Sequence, residues 1–382
     1  MKDGKRVILH VSFDGVLFDI ISSNFDRLEG YTNIYFVIGS SELKYIKSNP
    51  GRLTRFQDIL ELEPWFKNPE VDIIYFHALW PQYYKCFDRI RDGVITIWYC
   101  YGKELYETIP GYPCLIRTRL YKFKTFWFYY KEEIKRLHFF RAVIGYLIPF
   151  YDILRGNLDR RKLISRMDYV QTPLRIEFEM LKRLPYFKAK PFKMDGKGIT
   201  PEEDRIVFHE SAGGVLINHS AAYSNNFIEV MDALSRCNLT ERTLYFPIVY
   251  GSDRIKELVK KYDGFNGNDT VFIEKKLPLE EYEKRMASCT HAIYGTLRQQ
   301  ALGNIFNCFR TGVKVFLFRS SMNYRQFKQD GFAVFSIEED MNADALATPL
   351  TRAEAIRNNR LFYSLYGRPQ DYLQTQFDAL FD

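Results

Sequence analysis

Short apolar runs recur along the first half of the chain at helix-length intervals. Each run is rich in β-branched or aromatic residues and ends in polar or turn-forming residues. They are VILHVSF (7–13), NIYFVIG (33–39), DIIYFHALW (72–80), VITIWYCYG (94–102) and YVQTP (169–173). Continuous apolar strands separated by helices are typical of a parallel sheet that is covered on both faces. The pattern predicts a Rossmann-like α/β domain over residues 1–190.

The alternation restarts after residues 185–205, whose Pro, Lys, Gly and acidic residues are typical of a linker. The next strand candidates are GGVLINHS (213–220), TLYFPIVYG (243–251), TVFIEKKL (270–277), THAIYGT (290–296), KVFLF (314–318) and FAVFSI (332–337). The intervening helices are expected at 225–236, 252–262, 279–288 and 299–311. This predicts a second Rossmann-like domain over 206–350 and a helical tail, 351–382, that crosses back to the first domain. Two such domains would face a central cleft at the carboxyl ends of their strands, where ligands bind in these sheets.

Basic and aromatic residues are interleaved in the segment 117–166, which precedes the last strand of the first half. Helices of this composition often lie in the interface of an anionic bilayer. The alternative is two ordinary helices that pack on the sheet and expose a basic face. We expect this segment to face a membrane through Trp127, Phe128, Lys131, Arg136, Phe139, Phe140 and Arg141. Its apolar part, 142–151, is too short to cross a bilayer.

The net charge and the cysteine pattern indicate which classes of ligand the protein can bind. The chain has 54 basic and 47 acidic residues, and the net charge of +7 suits nucleic acid, anionic lipid or a phosphorylated substrate. Its six cysteines are widely spaced and form no CxxC or Cys/His cluster, so we expect buried free thiols in a reducing cytoplasm rather than a zinc site. We expect neither a secretion signal at the N-terminus nor a membrane-spanning helix.

Several strong motifs are absent from the sequence. It has no GxGxxG after the first strand, no GxxxxGK[ST] and no GxSxG. These absences disfavour a dehydrogenase, a P-loop enzyme and an α/β-hydrolase. The sequence also has no convincing DxD pair of the kind that holds a metal-bound nucleotide-sugar.

Four loops of the second domain carry groups that suit phosphate and sugar. In INHSAAYSNN (217–226), serine hydroxyls and the amides of a helix starting near Asn225 could hold phosphate oxygens, although a plain helix cap is the alternative. In YGTLRQQALGN (294–304), Arg298 can pair bidentately with phosphate, at the start of a helix that would place Gln300 and Asn304 on one face. The strand end FPIVYG and the segment beginning at Leu277 could contact the base. The resulting donor-binding candidates are His219, Ser220, Ser224, Asn225, Asn226, Tyr250, Gly251, Leu277, Arg298, Gln299, Gln300, Gly303 and Asn304.

These four loops, in this order, resemble the 4-acetamido-4,6-dideoxygalactose (Fuc4NAc) transferases of enterobacterial common antigen synthesis, glycosyltransferase family 56. The matching pieces are NHSAAYSNN (218–226), PIVYG (247–251), LPLEEY (277–282) and RQQALGN (298–304), with FHALW (76–80) and WYCYGKELY (98–106) as counterparts in the first domain. The resemblance implies the GT-B architecture, a dTDP-sugar donor and a lipid-linked saccharide acceptor. It also implies a peripheral location on the cytoplasmic face of the bacterial inner membrane.

The expected activity is therefore transfer of a 6-deoxy (acetamido) sugar from a nucleotide diphosphate to a lipid-linked saccharide in bacterial surface glycan synthesis. We expect no metal, no other cofactor and no nucleic-acid partner. Arg298 and helix-start amides would stabilise the diphosphate leaving group. His77 is the first candidate for a catalytic base, followed by Glu104 and Asp14.

Several properties of the expected reaction, and two alternative functions, stay open at this point. The donor sugar, its base, the acceptor, the linkage, the choice between inversion and retention, and the oligomeric state are not fixed by the sequence. One alternative is a nucleotide-sugar epimerase with two Rossmann-like domains. Another is a nucleic-acid-binding protein, which the positive charge and the aromatic residues favour.

Overall fold

The computed structural model describes residues 4–15, 18–39, 42–47, 53–106, 120–133, 158–192, 199–265, 267–369 and 371–382. The chain divides into two compact units. The first contains Met1–Arg117, Phe140–Met194 and Gln370–Asp382, and the second contains Thr118–Phe139 and Asp195–Pro369. The prediction placed all of 117–166 in the first domain, whereas Thr118–Phe139 belongs to the second unit. Within the tail, only the residues from Gln370 onward belong to the first unit.

The first unit contains a parallel sheet. Its described strands are β1 (Arg6–Ser12), β2 (Tyr31–Ile38), β3 (Leu53–Phe56), β4 (Val71–His77), β5 (Ile95–Tyr99), β6 (Tyr169–Gln171) and β7 (Lys190–Pro191). They are arranged in the order β3-β2-β1-β4-β5-β6-β7, and every pair is parallel. The five predicted strands are all present. The two that the apolar pattern missed, β3 and β7, are the short edge strands.

The second unit contains another parallel sheet. Its described strands are β8 (Gly214–Ile217), β9 (Thr243–Pro247), β10 (Asp269–Ile273), β11 (Cys289–Tyr294), β12 (Lys314–Leu317) and β13 (Val334–Ser336). Their order is β10-β9-β8-β11-β12-β13, again with every pair parallel. Every residue of the three central strands, β8, β11 and β12, is buried, which explains why their sequences are continuous apolar runs. All six strand predictions are confirmed.

Helices connect the strands of both sheets. The described helices are α1 (Phe18–Phe25), α2 (Glu63–Phe66), α3 (Lys103–Tyr106), α4 (Phe123–Glu133), α5 (Leu158–Ser165), α6 (Arg175–Leu181), α7 (Phe227–Ser235), α8 (Asp253–Lys260), α9 (Leu279–Ala287), α10 (Leu302–Thr311), α11 (Met322–Gln329), α12 (Ala343–Ala347), α13 (Arg352–Leu365) and α14 (Tyr372–Asp378). In the described part of the chain, no helix is long and apolar enough to span a membrane.

Each unit has its own apolar core. In the second unit, Phe227 and Val230 of α7 pack with the residues of β8 and β9. In the first unit, Phe377 of α14 lies against Phe25 and Tyr75, with ring centroids 5.4 and 6.2 Å away. Five described cysteines, Cys86, Cys100, Cys237, Cys289 and Cys308, are buried free thiols, as predicted.

Candidate functional site

Two loops of the second unit meet at the carboxyl ends of β8 and β11. Asn218 follows β8 with a left-handed backbone (φ 60°), and its Oδ1 accepts a hydrogen bond from the Gly295 amide at 2.8 Å. Asn226 Nδ2 donates to the Gly295 carbonyl at 2.7 Å. A Cβ at position 295 would lie 2.1 Å from the Asn225 carbonyl oxygen, so only glycine permits this approach.

The Gln300 side chain connects two other predicted donor-binding residues. Its Nε2 lies 3.0 Å from His219 Nε2, and its Oε1 accepts a hydrogen bond from Ser224 Oγ at 3.0 Å. Because an amide nitrogen donates, His219 Nε2 must accept, and the imidazole proton therefore sits on Nδ1. Burial, together with the Arg298 cation, lowers the pKa of His219 to about 3, so this histidine is neutral at physiological pH. The structure thus brings His219, Ser224, Gln300 and Arg298 together.

The starts of two helices differ from the predictions. Ala301 has a left-handed backbone (φ 62°), and α10 begins only at Leu302. Arg298, Gln299 and Gln300 therefore lie in a loop, and Asn304 does not share a helical face with Gln300.

The helix after β8 also starts later than predicted. It begins at Phe227, after the left-handed Asn226 (φ 46°). Neither Ser224 nor Asn225 caps it, because both side chains are used within the loop. Ser224 bonds to Gln300, and Asn225 Nδ2 donates to Ser220 Oγ at 2.9 Å.

The strand end at Tyr250 and Gly251 is tied to the loop that follows β8. The Ala221 amide donates to the Tyr250 carbonyl at 2.8 Å, and the Ser252 amide donates to the Ala221 carbonyl at 2.9 Å. Gly251 has φ 122°, and a Cβ there would lie 2.3 Å from the Ala221 carbonyl carbon. The Tyr250 side chain is 59% exposed, so its ring is available to stack on a ligand.

Gly303 and Asn304 contribute to a different feature, a cavity of about 220 Å³ beside α9 and α10. Tyr282 of α9 and Asn307 of α10 also line it. Gly303 has no atom within 4 Å of a Cβ built on it, so the backbone here is open to close approach. Leu277 is half-buried and lies just before α9.

A third loop follows β12 and leads into α11, and the first residues of α11 contact the loop after β11. The Met322 amide donates to the Leu297 carbonyl at 2.9 Å, and Asn323 Nδ2 donates to the Gln300 carbonyl at 2.8 Å. This loop was not among the four predicted from the sequence. Its polar residues at the end of a central strand were the signal available.

These three loops contain many buried polar atoms that have no hydrogen-bond partner among the described residues. They are Asn218 Nδ2, His219 Nδ1, Asn225 Oδ1, Thr296 Oγ1, Gln299 Oε1, Ser321 Oγ and Asn323 Oδ1. Leaving one such group unsatisfied costs about 1–3 kcal/mol, and folded proteins rarely do so. Their concentration at one edge of the sheet indicates a site built for a polar ligand. Asn218, Thr296, Ser321 and Asn323 were not among the predicted residues.

In the first unit, His77 ends β4 and is part of a buried hydrogen-bonded chain. His77 Nε2 lies 3.0 Å from His10 Nδ1, and His10 Nε2 lies 3.0 Å from Asn33 Oδ1. Since Asn33 Nδ2 donates to the Phe25 carbonyl, Asn33 Oδ1 must accept from His10. His10 Nδ1 then accepts from His77, which leaves His77 Nδ1 without a proton. Burial lowers the pKa of His10 to about 4 and that of His77 well below its usual value.

The two carboxylate candidates for the catalytic base, Glu104 and Asp14, accept hydrogen bonds from nearby backbone amides. Glu104 is buried, which raises its pKa, and its Oε1 accepts from the Tyr101 amide at 2.9 Å. The Asp14 carboxylate accepts from three successive amides, those of Lys44, Tyr45 and Ile46. These contacts give both residues a structural task, and His77 stays the first candidate for a base.

The predicted membrane-facing residues have different surroundings. On α4, Trp127 is 44% exposed and Lys131 is exposed. Phe128, in contrast, packs with Tyr223 and lies under the Arg254 guanidinium at 4.7 Å, so it faces its own unit rather than outward. Phe123, which was not predicted, is 75% exposed. Arg136, Phe139, Phe140 and Arg141 lie outside the described residues.

Metal ligands are not assembled in the described part of the chain. No group of three or more His, Cys, Asp or Glu side chains there is placed to hold a metal ion.

No protein-family model matches the chain, and no curated protein matches its sequence. Solved structures do match it over almost its whole length. Sucrose-phosphate synthase from Thermosynechococcus elongatus has a TM-score of 0.56 at 10% identity, covering 99% of this chain and 95% of that chain. The trehalose-6-phosphate structure from E. coli bound with UDP-2-fluoro glucose has a TM-score of 0.54 at 12% identity, covering 98% of each chain.

A lipopolysaccharide outer core galactosyltransferase has a TM-score of 0.51 at 9% identity, covering 98% of this chain and 96% of that chain. At these identities the likeness concerns the fold. Together with the two parallel sheets and their strand orders, it shows that this chain has the GT-B fold of these glycosyltransferases.

Proposed function

We propose that the protein is a glycosyltransferase that binds a nucleotide-sugar at the loops following β8, β11 and β12. The observation that carries the proposal is the group of unpartnered buried polar atoms around Arg298. In the E. coli structure of the same fold, the bound molecule is UDP-2-fluoro glucose, a nucleotide-sugar analogue. Polar atoms without partners are the groups that the hydroxyls and phosphate oxygens of such a ligand would satisfy.

Different residues of the site suit different parts of a nucleotide-sugar. Arg298 and the His219 Nδ1–H suit the diphosphate, because one supplies a cation and the other a buried neutral donor. The hydroxyls and amides at Thr296, Gln299 and Asn323 suit the uncharged hydroxyl groups of a sugar. The cavity beside α9 and α10, where Gly303 leaves the backbone open, is the proposed place for the nucleoside.

The reaction proposed is metal-independent transfer to a lipid-linked saccharide. Arg298 takes the role that a divalent cation has in other transferases, stabilising negative charge on the departing diphosphate. His77, neutral and with Nδ1 unprotonated, is the proposed base for the acceptor hydroxyl. The family resemblance supports a dTDP-linked 6-deoxy acetamido sugar as the donor.

The proposed setting is the cytoplasmic face of the bacterial inner membrane, with the protein bound peripherally. The net charge of +7 favours contact with anionic lipid, and the exposed Phe123 and Trp127 suit the bilayer interface. A lipid-linked acceptor requires such a location, because its saccharide stays anchored in the membrane.

A thermal-shift panel of dTDP, UDP, GDP and CMP tests the donor site. We expect one nucleoside diphosphate to raise the melting temperature. At a hundredfold excess of the nucleotide over its Kd, binding should add about 2–3 kcal/mol to the free energy of unfolding. The rise should be the same with and without EDTA, and the responding nucleotide identifies the donor base. A melting temperature that no nucleotide changes would overturn the proposed donor site.

The unpartnered atoms predict an unusual effect of Thr296→Val. Removing a buried hydroxyl that lacks a partner should stabilise the free protein, raising its Tm by about 2–4 °C. The same change should weaken binding of the nucleotide-sugar about tenfold. Calorimetric melting and titration of the donor measure the two effects.

Thr290→Val is the matched control, since Thr290 lies near the start of β11 and Thr296 lies in the loop that follows the end of this strand. Its Oγ1 accepts from the Gly213 amide at 2.9 Å, so this variant should melt at a lower temperature and bind the donor normally. If Thr296→Val also lowers the Tm and leaves donor affinity unchanged, Thr296 is an ordinary structural residue.

A further inference from the structure

The residues leading into α4 contact the donor loop directly. The Lys122 amide donates to Asn226 Oδ1 at 2.7 Å, and Asn226 Nδ2 donates to the Leu120 carbonyl at 3.2 Å. The same Nδ2 donates to the Gly295 carbonyl at 2.7 Å. A single fully buried side chain therefore joins this segment to both loops of the site.

Helix α4 is also fixed to the first turn of α7. Glu229 accepts from the Thr125 amide at 3.0 Å and from Thr125 Oγ1 at 2.5 Å. Thr125 is fully buried. A carboxylate at the N-terminal turn of α4 is stabilised by the helix dipole, which strengthens the attachment.

Aromatic packing extends the contact to the turn that carries Ser224. The Tyr129 ring lies 4.9 Å from that of Tyr223, and the Phe128 ring lies 6.3 Å from it. Tyr223 immediately precedes Ser224, which bonds to Gln300. Both the backbone and the side chains of the donor loop thus rest on the segment 120–129.

Asn226 has a left-handed backbone, which costs a non-glycine residue about 1 kcal/mol or more. Its hydrogen bonds to Lys122 and Leu120 offset that cost. Without them, residues 218–226 would lose the conformation that places His219 and Ser224 beside Gln300.

We propose that the segment 120–129 is a clamp that holds the donor loop in its binding conformation, with Thr125 and Glu229 as positioning residues. This inference rests on the proposed function, because the loop it holds is the proposed nucleotide-sugar site. The segment whose composition predicts a membrane contact is, on its inner side, a support for that site.

Thr125→Val tests the clamp, because it removes the hydroxyl and keeps the shape. We expect affinity for the nucleoside diphosphate that stabilises the wild type to fall about tenfold, and amide hydrogen exchange in residues 218–226 to quicken. Thr125→Ser should restore both. Glu229→Gln, which keeps the volume of the carboxylate, should likewise lower the nucleotide affinity and quicken hydrogen exchange in residues 218–226. If Thr125→Val does not fold, this second variant tests the clamp.

Lys124→Ala is the matched control on the same pair of helices. Lys124 forms an exposed ion pair with Asp232, and such pairs contribute little, so affinity and exchange should stay at the wild-type level. Unchanged exchange of 218–226 in both Thr125→Val and Glu229→Gln would overturn the clamp. If the wild type binds no nucleotide, the proposed function fails, and hydrogen exchange alone then decides the clamp.

Discussion

Replacing Arg298 with Ala is expected to lower kcat/KM for the nucleotide-sugar by about 10²–10³-fold, the usual cost of losing one group that stabilises transition-state charge. Arg298 lies close enough to His219 to lower its pKa, and that histidine is neutral. The diphosphate would therefore lose the charged partner that we propose for it. Initial-rate kinetics with the identified donor measure the effect, and titration with the nucleoside diphosphate should show weaker binding as well.

Two further variants separate binding from chemistry. Arg298→Lys keeps the charge but cannot form a bidentate pair, so its loss should be intermediate. His77→Gln retains a side-chain donor toward His10 and should bind the nucleoside diphosphate normally while turnover falls. Normal turnover in His77→Gln would remove the proposed base, and wild-type diphosphate affinity in Arg298→Ala would remove the proposed phosphate contact.

A half-exposed arginine of the same unit serves as the control for a general loss of charge. Arg285 pairs with Glu281 on the surface of α9. Arg285→Ala should leave both donor affinity and turnover unchanged, because surface ion pairs are screened by solvent and salt.

The apolar pattern was sufficient to predict both sheets because their central strands are buried on both faces. In β8, β11 and β12 every residue must be apolar or internally bonded, and that requirement is visible locally. The edge strand β3 is half-exposed, and β7 has only two residues, so neither produces a distinct apolar run.

Helix starts were less predictable, because two of them depend on non-glycine residues in the left-handed region. Asn226 and Ala301 take this backbone conformation through tertiary contacts, such as the Asn226 bonds to Gly295 and Lys122. Local propensity carries no sign of such contacts. As a result, Arg298 and Gln300 were placed on a helix, although they lie in the loop before it.

The candidate site was predictable only where several polar residues follow one another in sequence. The stretches around His219 and Gln300 have that density, and the structure joins them. Ser321 and Asn323 are brought there by the order of the strands. In the same way, His10 and His77 are 67 residues apart and become neighbours only because β1 pairs with β4.

The free energy of unfolding is expected to fall steeply as the pH decreases from 6.5 to 4. His10 and His291 are fully buried, and burial lowers the pKa of each from 6.5 to about 4. Through these two residues, the unfolded chain therefore binds up to two more protons than the folded protein in this range. The stability is fully present above pH 6.5 and is lost as the pH falls toward 4, by about 3 kcal/mol for each histidine.

Protonation of His291 is unfavourable because of its neighbours. Its Nδ1 lies 3.2 Å from Arg242 Nη2, and the Lys314 cation also lowers its pKa. Its Nε2 faces the carbonyls of Ala345 and Thr348 at 3.2 Å, so it donates there and Nδ1 is left as the acceptor. An added proton on Nδ1 would break the Arg242 contact and place a third positive charge in the interior.

Urea unfolding at several pH values between 4 and 7.5 measures the dependence. His10→Gln and His291→Gln should each reduce the pH slope by about one proton. Asn358→Ala removes a buried amide that accepts from the Ala333 amide at 2.7 Å, so it should lower stability equally at every pH and leave the slope unchanged. A wild-type free energy that stays constant between pH 6.5 and 4 would show that these histidines do not remain buried and neutral in the folded protein, because a neutral buried imidazole must gain a proton on unfolding in this range.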